Sequence, residues 1–140
     1  MIHPGSGGRA KRWSIDGFLT VARILAARST RITWILGEAE LDVGLDRGLR
    51  GDVLRAPALE EVAPILARAG AYLGNDSGVS HLAAAVGTPS VLVFGPTSPQ
   101  TWAPAAPWVD AVRGDPAADP IGWTLDPDHV AHLVLAAANG

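Results

Sequence analysis

The chain has no cysteine, which excludes both disulfide staples and thiolate chemistry. It has no apolar stretch long enough to cross a bilayer, and no secretory signal opens it, so a cytoplasmic location is expected. Asn75-Asp76-Ser77 matches a glycosylation sequon, which is discounted for want of that signal. Positive charge is short as well: 11 lysines and arginines stand against 14 aspartates and glutamates. The resulting net charge of −3 argues against general nucleic-acid binding. The local exception is a basic knot at Arg9, Lys11 and Arg12. No clustered metal ligands occur, and neither an internal repeat nor a linker is evident. Residues 1–140 therefore read as a single domain, long enough to bury a core unaided.

What is present centres on residues 74 to 97. Ala71-Tyr72-Leu73 reads as the end of a buried strand, after which Gly74 turns the chain polar. An alanine-rich helix follows from about Ser77 to Val86, with Gly87 as a left-handed stop and Thr88-Pro89 preventing continuation. Ser90 to Phe94 is a second apolar strand, ending in the turn Gly95-Pro96-Thr97. Strand, turn, helix and strand in that order imply a parallel crossover. In such units ligands sit where strands end and helices begin, because free N–H groups and the helix dipole favour anions there. Asp76, Ser77, Gly78 and His81 crowd that position. Singly, each has a bland explanation: a cap for Asp76 or Ser77, close packing for Gly78, a surface or core histidine for His81. Together they exceed what capping requires.

Upstream, Met1-Ile2-His3 has room for only the last residues of a strand, and Pro4-Gly5-Ser6-Gly7-Gly8 leads from it to Lys11. A glycine-rich turn before a lysine suggests a phosphate cradle, with a plain flexible loop as the competing explanation. The spacing fits neither a P-loop nor the dinucleotide fingerprint. Ser14 is a helix N-cap with Asp16 in the first turn, and Trp13 and Phe18 occupy hydrophobic-staple positions, so Trp13 is expected to pack. Ile15, Phe18, Leu19, Ala22 and Leu25 form the buried face of that helix. Ile32 to Leu36 is a strand buried on both faces and closed by Gly37. Glu38 and Glu40 stand just beyond its carboxyl end, where an acidic residue accepts hydrogen bonds from a ribose in other nucleotide-binding sheets. The alternative is a pair of solvated loop carboxylates.

The rest is coarser. Residues 41–51 are charged and glycine-spaced without clear structure, and Asp52 to Arg55 reads as a short strand. Leu59 to Ala69 reads as a helix stopped by Gly70, in which Pro64 demands a late start or a bend. Thr97 to Pro107 reads as a proline-rich loop, Val109 to Val112 as a last strand, and Asp126-Pro127 as the start of a final helix through Asn139. Alternating strands and helices make the class α/β with a parallel, Rossmann-like sheet.

Three motifs carry a family resemblance: His3-Pro4-Gly5-Ser6-Gly7 with Lys11-Arg12-Trp13, the run from Gly74 to Ala85, and Phe94-Gly95-Pro96-Thr97 with Trp102-Ala103-Pro104. In this order, over roughly residues 2 to 113, they resemble glycosyltransferase family nine, the ADP-heptose–lipopolysaccharide heptosyltransferases and their relatives. The resemblance implies a GT-B fold of two Rossmann-like domains with sugar transfer between them. Only the carboxyl-terminal, donor-binding domain is matched, and the amino-terminal acceptor domain has no counterpart in this sequence. By similarity, Lys11 would meet the donor diphosphate and the Ser77 and Gly78 backbone N–H groups would cradle it. Asp76 and His81 would hold sugar hydroxyls or phosphate, and Glu40, with Glu38 as its rival, would bind the adenosine ribose. Ser6, in the first motif, joins the donor-binding set.

The family inverts the anomeric centre by direct displacement without a metal, using a carboxylate base in the amino-terminal domain. No catalytic residue is therefore expected in this chain, and no cofactor beyond the ADP-sugar as substrate. The implied partners are an amino-terminal domain in cis or in trans and, through the acceptor of lipopolysaccharide synthesis, peripheral contact with the inner membrane. Two other readings compete. One is a non-catalytic nucleotide or nucleotide-sugar binding module. The other is a hydrolase using Ser77 or Ser80 with His81 and Asp76, ranked last because Gly-x-Ser-x-Gly is absent.

Overall fold

Residues 1–115 and 123–140 are described by a computed structural model. Continuous apolar runs form the inner strands because side chains alternate between two faces that are both covered. In β2 (Thr33–Leu36), Trp34 and Leu36 enter one core while Ile35 enters the other. In β5 (Ser90–Phe94), Val91 and Val93 point one way and Leu92 and Phe94 the other. The same split divides Leu73 from Tyr72 in β4 (Tyr72–Asn75). With β1 (Ile2–His3), β3 (Asp52–Arg55) and β6 (Val109–Arg113) they form a six-stranded sheet ordered β3-β2-β1-β4-β5-β6. Every neighbouring pair is parallel. The class is α/β, as the sequence implies, and the first strand lies in the middle of the sheet despite its two residues.

The larger core is covered by α1 (Ile15–Ala27) and α6 (Pro127–Asn139), which supply Phe18, Val21, Leu25, Val130 and Val134. Ser14 caps α1 by accepting from the Gly17 N–H, and the staple forms: the Trp13 and Phe18 rings meet edge-on at 5.1 Å. Asp126 caps α6 through the Asp128 N–H, with Pro127 in the first turn. The opposite face is covered by α3 (Leu59–Leu66) and α4 (Gly78–Ala85), through Val62, Leu66 and Ala83. Gly87, at φ 82°, ends α4 in the left-handed region as expected.

Three expectations change. Glu38 and Glu40 do not lie in a loop but open a short helix, α2 (Glu38–Asp42), because the Glu40 carboxylate accepts the Gly37 N–H at 2.9 Å and so satisfies a first-turn donor. Helix α3 starts at Leu59 with Pro64 inside it, and stops at Leu66 rather than Ala69. The buried Thr88 hydroxyl donates to the Leu66 carbonyl at 2.8 Å, which gives the freed end a partner. The segment from Thr97 to Pro107 is not wholly loop but holds a single turn, α5 (Pro99–Trp102), with proline at its first position. Among the described residues no helix is long and apolar enough to cross a membrane.

Glycine at position 74 is required by its neighbour. A Cβ there would collide with the Tyr72 hydroxyl, which is fully buried and bonded to Ser80 Oγ at 3.0 Å. Gly74→Ala should therefore cost about 1–3 kcal/mol as an overpacking change. Thermal unfolding should show a drop of several degrees for this variant; an unchanged midpoint would contradict the packing described.

Candidate functional site

Parallel strands bring all their carboxyl ends to one edge, and the chain reverses its direction of travel across the sheet between β1 and β4. That switch point is where an open α/β sheet leaves a crevice. Its two walls are the loop after β1, residues 4–8, and the turn after β4 leading into α4.

Asn75 ties them together. Its amide is fully buried; Oδ1 accepts the Trp13 N–H at 2.9 Å and Nδ2 donates to the Pro4 carbonyl at 2.8 Å. Ser6 adds a second tie, its hydroxyl donating to the Asp76 carbonyl at 2.9 Å. The Ser6 carbonyl in turn accepts from Arg12 Nε and Nη2 at 3.2 and 2.9 Å, which leaves Arg12 3.7 Å from Glu40 Oε1. Gly5 permits this closeness: a Cβ would lie 2.7 Å from His3 Cε1 and 3.0 Å from Glu40 Oε2.

Between these walls lies a cleft of about 520 Å³ that includes His3, Ser6, Gly7, Glu40, Ser77 and Gly78 in its lining. The same cleft is lined by Glu38, which is exposed where Glu40 is buried. Ser77 caps α4, accepting from the Ser80 N–H at 3.4 Å, so the N–H groups of Gly78 and Val79 are left without an acceptor inside the helix. A side chain at Gly7 or Gly78 would meet nothing within 4 Å beyond its chain neighbours and, for Gly78, the backbone of its own helix, and neither glycine needs its freedom for a positive φ. Packing does not account for these two glycines. They are bare backbone facing a cleft.

Beside Ser77, the buried Asp76 carboxylate receives Lys11 Nζ at 3.1 Å and the Thr97 hydroxyl at 3.0 Å, both on Oδ2. Lys11 thus stands next to the mouth of α4, as the sequence implies, but already paired. His81 is exposed on α4, outside the cleft lining, and its side chain makes no hydrogen bond among the described residues. The hydrolase arrangement is not assembled either. Ser80 is buried and its hydroxyl donates to the Asn75 carbonyl, while Ser77 Oγ lies 3.1 Å from Ser80 Oγ rather than against His81. Of the residues expected at the site, Ser6, Glu40, Ser77 and Gly78 share the cleft, Lys11 and Asp76 form an ion pair beside it, and His81 stands apart.

Sequence reasoning missed four contributors: His3, Arg12, Asn75 and Thr97. All four lie in the quoted motifs, but only side-chain contacts seen in the fold reveal their work. His3 Nδ1 donates to the Ile35 carbonyl at 2.9 Å, since a carbonyl can only accept. In the neutral ring Nε2 is therefore an acceptor, and His3 is among the residues that line the cleft.

Fold and cleft together define a Rossmann-like domain with a cleft at the switch point of its sheet. The sequence profile of glycosyltransferase family 9 (heptosyltransferase) matches residues 1–120, and the chain belongs to that family. A lipooligosaccharide heptosyltransferase 2 of Haemophilus influenzae is 30% identical over 116 residues, which cover 76% of this chain and 33% of that protein. The structure of E. coli ADP-heptose lps heptosyltransferase II superposes with a TM-score of 0.85 at 23% identity, over 99% of this chain and 45% of that one. E. coli heptosyltransferase WaaC with ADP follows at 0.81 and 26% identity, over 97% and 43%. The chain thus spans about a third of this curated relative and less than half of each of these solved structures.

Burial lowers the pKa of His3 from its ordinary 6.5; Arg12 pushes the same way, against the Ile35 carbonyl and Glu40, which raise it. An unfolded chain then binds the proton at higher pH than the folded one, so stability is unaffected above 6.5 and falls as the pH drops below it. An imidazole titration by NMR should place His3 below 6.5, with the melting temperature declining in the same window. A midpoint at or above 6.5 would show that the ring is not held neutral as described.

Proposed function

We propose that this chain is the donor-binding half of an inverting, metal-independent glycosyltransferase, taking an ADP-sugar of the heptose type and working with an amino-terminal acceptor domain in cis or in trans. The relatives named above are heptosyltransferases of lipopolysaccharide and lipooligosaccharide, and one of them is solved with ADP. The single observation carrying the reading is the pair Gly7 and Gly78: bare backbone on both walls of a switch-point cleft, beside a helix mouth with free N–H groups. Such a surface suits a diphosphate approaching closely from either side.

In this reading the Ser77 and Gly78 backbone cradles the diphosphate and Lys11 adds charge, held in place by Asp76. Glu40 takes the ribose with its Oε1, because its Oε2 is bound to the Gly37 N–H; the exposed Glu38 is the rival on the same cleft. Ser6 shapes the loop with its hydroxyl committed to the Asp76 carbonyl, and Asp76 would hold sugar hydroxyls or phosphate. His81, outside the cleft lining, could share that role only with a ligand that reaches beyond the cleft. The acceptor oxygen attacks the anomeric carbon, the bond from that carbon to the diphosphate oxygen breaks, and the acceptor proton passes to a carboxylate of the other domain. Negative charge builds on departing ADP, where fixed N–H donors and an ammonium stabilise it without reorganising. No metal is needed for that neutralisation. The enzyme would act at the cytoplasmic side of the inner membrane, where its acceptor lies.

Two experiments test this. Calorimetric titration of the chain with ADP in the presence of a chelator should show binding, and Lys11→Ala should weaken ADP by roughly tenfold or more while sparing adenosine, since a charge-assisted contact is lost. Equal weakening of both ligands would place Lys11 in the fold instead of at the phosphates. Transfer from ADP-heptose to a lipid A–Kdo acceptor should be absent for the chain alone, because loss of a general base costs about 10²- to 10⁴-fold and the acceptor is unpositioned. Adding an amino-terminal domain should restore transfer and raise the melting temperature. Binding without any restored transfer would favour the alternative, a non-catalytic nucleotide-sugar module.

A further inference from the structure

The five tryptophans are used very unequally. Trp34 and Trp123 are buried, and their indole N–H groups donate to the Arg50 and Ala10 carbonyls. Trp13 is buried against Phe18. Trp108 is partly exposed, but its indole N–H is fixed to the Ala84 carbonyl at 3.0 Å. Trp102 differs from all of these: it is 54% exposed, and its indole N–H makes no hydrogen bond among the described residues. Its backbone is nevertheless pinned, its N–H bonded to the Ser98 carbonyl at 3.0 Å within α5. The half-exposed ring thus stands on a backbone-bonded turn at the same sheet edge as the cleft, with Lys11 as its side-chain partner among the described residues.

Its neighbour says what it faces. Lys11 Nζ lies 6.0 Å from the centre of the Trp102 ring, and the same ammonium is 3.1 Å from Asp76. A flat apolar ring and a carboxylate therefore both stand close to one ammonium. That set matches a pyranose attached to a phosphate: the carboxylate accepts sugar hydroxyls, the ammonium meets the phosphate, and the ring takes the sugar's C–H face. The electron-rich face of an indole attracts the polarised C–H groups of a sugar as it attracts a cation.

We infer that Trp102 is the platform on which the sugar of the nucleotide-sugar stacks. The inference rests on the donor-site reading above and adds a residue which discriminates a sugar-bearing ligand from bare ADP. No bond forms or breaks at Trp102, so it is a specificity residue, not a catalytic one.

The test uses the full chain, with Trp102→Ala and Trp102→Phe, titrated with ADP and with ADP-heptose. Because the side chain is exposed, the variants should melt as the parent does. Trp102→Ala should weaken ADP-heptose by roughly 3- to 10-fold, the range expected of an aromatic contact, while leaving ADP within about twofold. Trp102→Phe should recover part of the loss. In ligand-observed NMR the sugar protons of ADP-heptose should shift upfield on the parent chain and lose that shift on Trp102→Ala. Equal loss of both ligands would overturn the inference, since Trp102 would then act only by holding Lys11. An unaltered ADP-heptose affinity would overturn it as well, leaving the ring as a surface for another partner. If the parent chain binds ADP but shows no ring-current shift, the sugar inference fails alone; if it binds no ADP, the donor-site reading fails first.

Discussion

The arrangement at the switch point depends on one side-chain amide. Asn75 closes β4 with its carbonyl oxygen on the Trp13 N–H and its amino group on the Pro4 carbonyl, so the end of one strand holds both the loop after β1 and the start of α1. No other residue type substitutes simply. Aspartate would turn a donor into a second acceptor against the Pro4 carbonyl, and alanine would strand a buried N–H and a buried carbonyl together. The amide adds to the ladder of β1, which pairs with β2 through Ile2 and Trp34 and with β4 through Ile2 and His3, a side-chain tie between the end of β4 and the loop after β1.

Around this clamp the charges are arranged in two pairs, and their placement decides what is left for a ligand. Asp76 holds Lys11, and Glu40 lies near Arg12. Both carboxylates are buried, and a buried carboxylate without a partner would be costly. Each has its partner, one on a hydroxyl as well and the other on a backbone N–H. Neither is spent on the first turn of α4, whose cap comes from the neutral Ser77. The positive end of that helix is thus not neutralised by a side chain of its own, which keeps it available to an anion.

The sequence made the elements legible and the cross-chain ties illegible, for a physical reason. Periodicity and caps are local, so Ser14, Gly87, Asp126 and the alternating faces of β2 and β5 were readable from a few residues. The short helix at Glu38 was not readable because Glu40 caps with no conventional partner: Gly37 has no side chain to return the bond, so half of a capping box is all the sequence contains. Asn75 was the larger miss. Its role lies in bonds to residues 62 and 71 positions away, and its visible motif, a glycosylation sequon, pointed elsewhere. Ser6, Ser77 and Gly78 do line the cleft, and their place was readable because glycine and hydroxyl residues at a strand-to-helix turn carry their meaning in the turn itself.

A sorting of polar atoms separates scaffold from site. Ser80 gives its hydroxyl proton to the Asn75 carbonyl, so its oxygen can only accept from Tyr72 and Ser77. Burial raises the Tyr72 pKa, which keeps the phenol a donor in this chain of three hydroxyls. The Ser77 proton is therefore directed inward, and its oxygen faces the Ser80 N–H. Every hydroxyl near the mouth of α4 is thereby committed within the protein, Ser6 included. What remains unspent is of a different kind: the first N–H groups of α4, one oxygen side of Glu40, the outer face of the Lys11 ammonium, and the indole of Trp102. A surface that satisfies its own hydroxyls while leaving donors, a carboxylate and an aromatic face open is complementary to a ligand rich in phosphate oxygens and sugar hydroxyls. A ligand of that kind would complete bonds that the fold does not need.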